Sequence, residues 1–114
     1  MKIWFTNSRT KKLFSSKNNL AKKYGDEMAK KIWQRIADLK ACATFRVAYS
    51  IPGRLHPLTG SGDGKFAMDL VHPCRLILEP SNEPLPHIDD KKTQLDYDQI
   101  DEITIVGVID YHRK

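Results

Sequence analysis

Met28, Ile32, Ile36, Leu39 and Ala43 recur at spacings of four, four, three and four. That pattern is one apolar stripe along an amphipathic helix, and it constrains the chain more than any other feature. Such a stripe must be buried against a second layer of structure. Lys30, Lys31, Arg35 and Asp38 fall away from it, so the opposite face is polar and mostly basic. Glu27 and Lys31 stand one turn apart in the favourable order, and Asp26 is placed to cap the helix start. Upstream, Ser15 and Ser16 offer an N-cap for an earlier helix, Leu20, Ala21 and Tyr24 share one face of it, and Gly25 stops it. Two helices joined at Gly25-Asp26 make a helical hairpin.

The flanking segments carry a different period. Residues 2–6 read as a short strand rich in β-formers, and the following Asn7, Ser8 and Thr10 as a polar connection. After Ile51-Pro52-Gly53 the helical period ends. Lys65 to Val71 alternates, with Phe66, Met68 and Leu70 on one face and Asp69 on the other, which describes a half-buried strand. His72-Pro73 marks a turn. Cys74 to Leu78 is the next strand, with Arg75 and Ile77 sharing one face. Residues 79–102 are acidic and punctuated by Pro80, Pro84 and Pro86, so they read as a long loop with one helical turn near Asp96–Ile100. Ile103 to Ile109 is the last strand. The order β-α-α-β-β-β is an α+β architecture: an N-terminal strand, then a helical hairpin packed on a small antiparallel-rich sheet. With 114 residues and 40% apolar content, one core and one domain over residues 1–114 are expected. Trp4 and Trp33 read as packing aromatics.

Charge is unevenly distributed. Residues 1–60 hold 13 Lys and Arg against 3 Asp and Glu, whereas residues 61–114 hold 6 against 11, a net +10 facing a net −5. A basic half of that size suits a phosphate-binding surface, although a lysine-rich helix face is equally well a solvated one. The polar start, the lack of an apolar span and two unspaced cysteines, Cys42 and Cys74, fit a reducing cytoplasm and exclude a membrane partner. His72-Pro73-Cys74 with His56 or His87 matches no closed zinc pattern, and Gly60 to Gly64 precedes no helix, so neither a metal nor a nucleotide cofactor is expected.

Cleaving RNA at a 2′-hydroxyl requires a group to take its proton, a group to protonate the leaving 5′-oxygen and a fixed cation for the charge on phosphorus. Histidine suits both proton roles, with an unperturbed pKa of about 6.5, and arginine grips two phosphate oxygens at once. His56, His112 and Arg75 therefore form a minimal set. Asp110 can orient a histidine or draw in the hydroxyl, and Tyr111 can stack on a base or donate its hydroxyl. Each has a plainer alternative: His56-Pro57 as turn chemistry, Tyr111-His112 as a terminal tail, and Arg75 as the cross-hairpin partner of Asp69.

Four segments, in this order, resemble the RelE/ParE toxin superfamily in its HigB, or killer-protein, branch. They are Tyr24 to Leu39, Pro52 to Gly60, Lys65 to Pro80, and the terminal Asp110-Tyr111-His112. The resemblance implies a ribosome-dependent messenger RNA endonuclease, silenced by a HigA-like antitoxin that can carry the pair onto operator DNA. By motif, it implies catalytic roles for His56, Arg75, Asp110, Tyr111 and His112. A lysine common three residues after the first histidine is Thr59 here, and a second arginine ahead of Arg75 has no counterpart. Phosphate charge then falls to Arg54 and Lys65, with Lys30 and Lys31 on the helix face as further RNA contacts. The acidic loop is expected to serve packing or antitoxin contact rather than chemistry. Within the superfamily the alternative is a ParE-like topoisomerase poison; outside it, a non-catalytic basic RNA-binding module.

Overall fold

A computed structural model of the chain describes residues 1–60 and 64–111. Its elements are β1 (Lys2–Phe5), α1 (Ser8–Phe14), α2 (Lys17–Tyr24), α3 (Asp26–Ala41), α4 (Phe45–Ala48), β2 (His56–Pro57), β3 (Phe66–Asp69), β4 (Cys74–Pro80) and β5 (Glu102–Asp110). The five strands form one sheet in the order β1-β5-β4-β3-β2, with β1 parallel to β5 and the other ladders antiparallel. This is the mixed α+β layer arrangement that the sequence pattern implies.

The helical hairpin forms where the periodicity places it. Ser16 caps α2 by accepting from the Asn19 N–H, and Gly25, at φ 89°, makes the sharp corner into α3. Ile32, Ile36 and Leu39 of α3 are buried, Met28 is half-buried against the same core, and Leu20 of α2 joins them. The stripe ends at Leu39, because α3 stops at Ala41 and Ala43 is exposed beyond it. Gly25, not Asp26, is the N-cap of α3; Asp26 is its first residue.

Several expectations need correction. The polar segment after β1 is a helix, α1, started by Asn7, whose side chain accepts from the Thr10 N–H at 2.8 Å. Arg35 lies with the buried side of α3, 7% exposed, because its long stem can run along apolar surface while the head reaches a carbonyl. Within the segment Pro52 to Gly60 the ladder is confined to His56–Pro57, since proline cannot donate to it and the backbone turns sharply at residues 53 and 54. Strand β3 is buried at Phe66, Ala67 and Met68, with side chains on both faces covered, rather than half-buried. Trp4 and Trp33 are 45% and 40% exposed, and Trp4 Nε1 donates to Glu102 Oε1 at 2.8 Å.

The acidic segment is shorter than expected, because β4 runs to Pro80 and β5 begins at Glu102. Its far end is part of the core. Residues 96–99 form a hydrogen-bonded turn, Gln99 N–H to Asp96 O, in place of a helical one. Tyr97 packs against Phe45, Tyr49 and Phe66 at ring separations of 5.3, 5.5 and 6.0 Å, and Ile100 is fully buried. Phe45 N–H donates to Ile100 O at 2.8 Å, stitching α4 to the segment. Among the described residues, no helix is long and apolar enough to cross a membrane.

Two isoleucines of this one segment should therefore behave differently. Ile100→Ala, which opens a cavity in the core, should cost about 2–5 kcal/mol of unfolding free energy. Ile88→Ala, at a site 58% exposed, should stay within about 0.5 kcal/mol of wild type in urea denaturation.

Candidate active site

The site begins at the turn that enters β2. Gly53 has φ 124° and Arg54 has φ 53°, so two successive residues sit in backbone regions that ordinary L-residues avoid. The turn is tied down by Asp69 N–H, which donates to Gly53 O at 2.7 Å. Space also demands glycine there: a Cβ on residue 53 would lie 2.8 Å from Met68 Cε and 2.9 Å from Arg35 Nε. Arg35 Nε in turn donates to Asp69 O at 2.9 Å. The end of β3 is thus held by the turn on one side and by α3 on the other.

This arrangement aims Arg54 at the Asp69 carboxylate. Arg54 Nε lies 2.9 Å from Oδ2 and Nη2 lies 3.1 Å from Oδ1, a two-pronged pair. Arg75, the cross-strand partner of Asp69 on β4, brings its Nε to 3.5 Å from Oδ1. The hydrogen bonds from Arg54 hold the Asp69 carboxyl below its ordinary pKa against a smaller opposing effect of burial, with the charges of Arg54, Arg75 and His56 adding to the depression. The Arg54 guanidinium is shifted up by the same contact.

The Arg75 guanidinium also lies over the Tyr111 ring, 4.4 Å from its centroid. Tyr111 follows β5 and is fixed by its N–H, which donates to Pro73 O at 3.3 Å. Arg54, Asp69, His72, Cys74, Arg75 and Tyr111 line a cleft of about 240 Å³. Larger, shallower hollows of about 500 and 560 Å³ lie between α2 and α3 and beside Trp4, but neither is lined by arginine or histidine.

His56 stands at the start of β2, with Nδ1 2.8 Å from Arg54 O. A carbonyl oxygen can only accept, so Nδ1 carries the hydrogen and Nε2 of the neutral ring keeps its lone pair. Asp110 ends β5 opposite Cys74, whose thiol is pushed up first by burial and then by the Asp110 charge. Lys65 immediately precedes β3, its carbonyl accepting from the Leu58 N–H. Lys30 and Lys31 are on α3, and Lys30 lines the α2–α3 hollow rather than the arginine cleft. His112 lies outside the described residues. Among those described, no group of three or more His, Cys, Asp or Glu is placed to hold a metal.

The cleft therefore unites Arg54, Arg75 and Tyr111, with His56 one turn away and coupled to it through Arg54 and Asp69. Asp69 as a partner for Arg75 was legible from strand alternation. Its stronger pairing with Arg54 was signalled only by Pro52-Gly53, whose turn geometry sends Arg54 back toward β3. A further basic cluster, Arg9, Lys12, Lys22 and Lys23, faces one groove between α1 and α2 and followed from no periodicity, because α1 itself was not apparent.

The fold is one seen in a solved toxin structure. A solved structure described as a YoeB/ParE toxin from Agrobacterium tumefaciens superposes with a TM-score of 0.58 at 16% identity, covering 95% of each chain. No family model and no curated protein sequence matches the chain.

The Asp69 cluster has a definite acid dependence. Because folding lowers this carboxyl's pKa, its pairing contributes stability in full above the unfolded value of about 3.9 and loses it as the pH falls through the lower folded value. The melting-temperature gap between wild type and Asp69→Asn should be constant from neutral pH down to about 5 and should close in stronger acid. Thermal scans by circular dichroism across that range measure it.

Proposed function

We propose that the chain is the toxin of a toxin–antitoxin pair and cleaves messenger RNA on the ribosome by attack of a 2′-hydroxyl on the adjacent phosphate. The observation that carries this reading is the pair of guanidiniums, Arg54 and Arg75, gathered beside the Tyr111 ring in one cleft with a base-competent histidine nearby. A YoeB/ParE fold fits a toxin, and the four motifs that resemble the HigB branch favour RNA cleavage and a HigA-like antitoxin.

The roles follow from the chemistry of each group. His56, with Nδ1–H engaged by Arg54 O, presents Nε2 to take the 2′-hydroxyl proton, and the charge it gains faces Asp69. His112, two residues beyond Asp110, returns a proton to the leaving 5′-oxygen. Arg75 and Arg54 offset the charge that builds on the phosphoryl oxygens, with Arg54 supplying what Thr59 cannot. Tyr111, with one face against Arg75, stacks a splayed base on the other. Lys65 adds a phosphate contact near the site, and Lys30 and Lys31 on α3 add RNA contacts away from the cleft. Topoisomerase poisoning would leave this proton-transfer set without a use.

Single-turnover cleavage of a message on programmed ribosomes tests the reading. His56→Ala and His112→Ala should stay folded and lose about a hundredfold to ten-thousandfold in rate, while Arg75→Lys should retain part of the activity. Efficient cutting of free RNA, or double-strand DNA breaks without RNA cuts, would contradict it.

A further inference from the structure

Cleavage in this cleft requires two guanidiniums in fixed places, yet the rotamer entropy of a surface arginine works against any single pose. Arg54 and Arg75 come from different elements, a turn and a strand, and what they share is Asp69. Arg54 meets it through Nε and Nη2, and Arg75 through Nε. Both contacts use the side of the guanidinium. The second two-pronged face of each, at its end between Nη1 and Nη2, is not the one Asp69 takes.

We infer that Asp69 is a positioning residue that holds Arg54 and Arg75 by their sides, so that their ends form a paired grip for one phosphodiester in the cleft beside Tyr111. This rests on the RNA-cleavage reading and adds to it the residue that organises the cations. The carboxylate is a fixed post. Its backbone N–H is bonded to Gly53 O and its backbone carbonyl to Arg35 Nε, so β3, the turn and α3 all set where it stands.

Charge separates this role from two others. Two guanidiniums and one carboxylate leave a single net positive charge, so Asp69 weakens rather than strengthens the site's general pull on an anion. What it supplies is geometry, which matters most when charge develops in the transition state. Its loss should therefore leave substrate binding equal or tighter while slowing the chemical step. A carboxylate that merely competed with the phosphate would give a faster enzyme when removed, and a merely structural one would not split the two parameters in this way.

The test compares wild type, Asp69→Asn and Asp69→Glu, each checked for folding by circular dichroism, in single-turnover cleavage over a range of ribosome-bound message. Asp69→Asn should show an unchanged or lower half-saturation concentration with a maximal rate reduced about tenfold to hundredfold, and Asp69→Glu, which restores the charge one methylene out of place, should recover part of it. An unchanged or higher maximal rate in Asp69→Asn, or weaker binding at an unchanged rate, overturns the proposal. A second arm does not depend on cleavage: the arginine Nε–H resonances of Arg54 and Arg75 are followed by NMR while inorganic phosphate is added. In wild type both should keep the positions Asp69 sets, through hydrogen bonds for Arg54 and an ion pair for Arg75, and in Asp69→Asn both should move toward solvent-exposed values. If wild type fails to cut messages, the RNA-cleavage reading falls and this arm alone decides; displacement of both Nε–H signals by phosphate in wild type then refutes the clamp.

Discussion

Asp69 is held by three arginines drawn from three parts of the chain. Arg35 of α3 takes its backbone carbonyl, Arg54 of the turn before β2 takes both carboxylate oxygens, and Arg75 of β4 approaches one of them. The helical layer, the edge of the sheet and its centre are thereby registered at one residue. Surface ion pairs of this exposure contribute little to stability individually. Their value lies in direction, because a planar guanidinium bonded at its side has few orientations left for its end. The strained turn at Gly53 and Arg54, closed by the short Asp69 N–H to Gly53 O bond, is the backbone cost of that aim.

The rest of the fold makes such a turn tolerable. β3 and β4 lie inside the sheet with Phe66, Met68, Leu76 and Leu78 buried against α2, α3 and α4, so the strand end bearing Asp69 cannot drift. The aromatic group of Phe45, Tyr49, Phe66 and Tyr97 closes the same core from the other end and anchors the acidic segment. Basic residues collect on α1 and α2, while the acidic segment is held at the far side of α4 by Tyr97 and by the Arg46–Asp98 ion pair, 3.2 Å.

How much of this was legible depended on how far each signal reached along the chain. The α3 stripe and the Gly25 corner were plain because helical spacing and a glycine stop are local. Helix α1 was hidden because it is seven residues long and only Leu13 and Phe14 are apolar in it, too few to show a period. Arg35 stands three residues after Ile32 and four before Leu39, so helical spacing puts it at the edge of the stripe; that its head would meet a backbone carbonyl 34 residues away is marked by no local pattern. Arg75 with Asp69 was readable as a cross-strand pair; that Arg54 would claim the same carboxylate more closely depended on two positive φ angles. Tyr111 packs on Arg75 and His56 follows the Arg54 turn, whereas Lys30 lines the hollow between α2 and α3.

The central claim is that a 2′-hydroxyl attacks a phosphate gripped by Arg54 and Arg75, with a histidine taking its proton. The most direct measurement is cleavage of two ribosome-bound messages that differ only by a 2′-deoxy substitution at the nucleotide preceding the cut. The account predicts that the all-ribose message is cut to a 2′,3′-cyclic phosphate and a 5′-hydroxyl, and that the substituted one is left whole at that bond. Equal cutting of both messages would mean that water or another nucleophile does the work, and would contradict it.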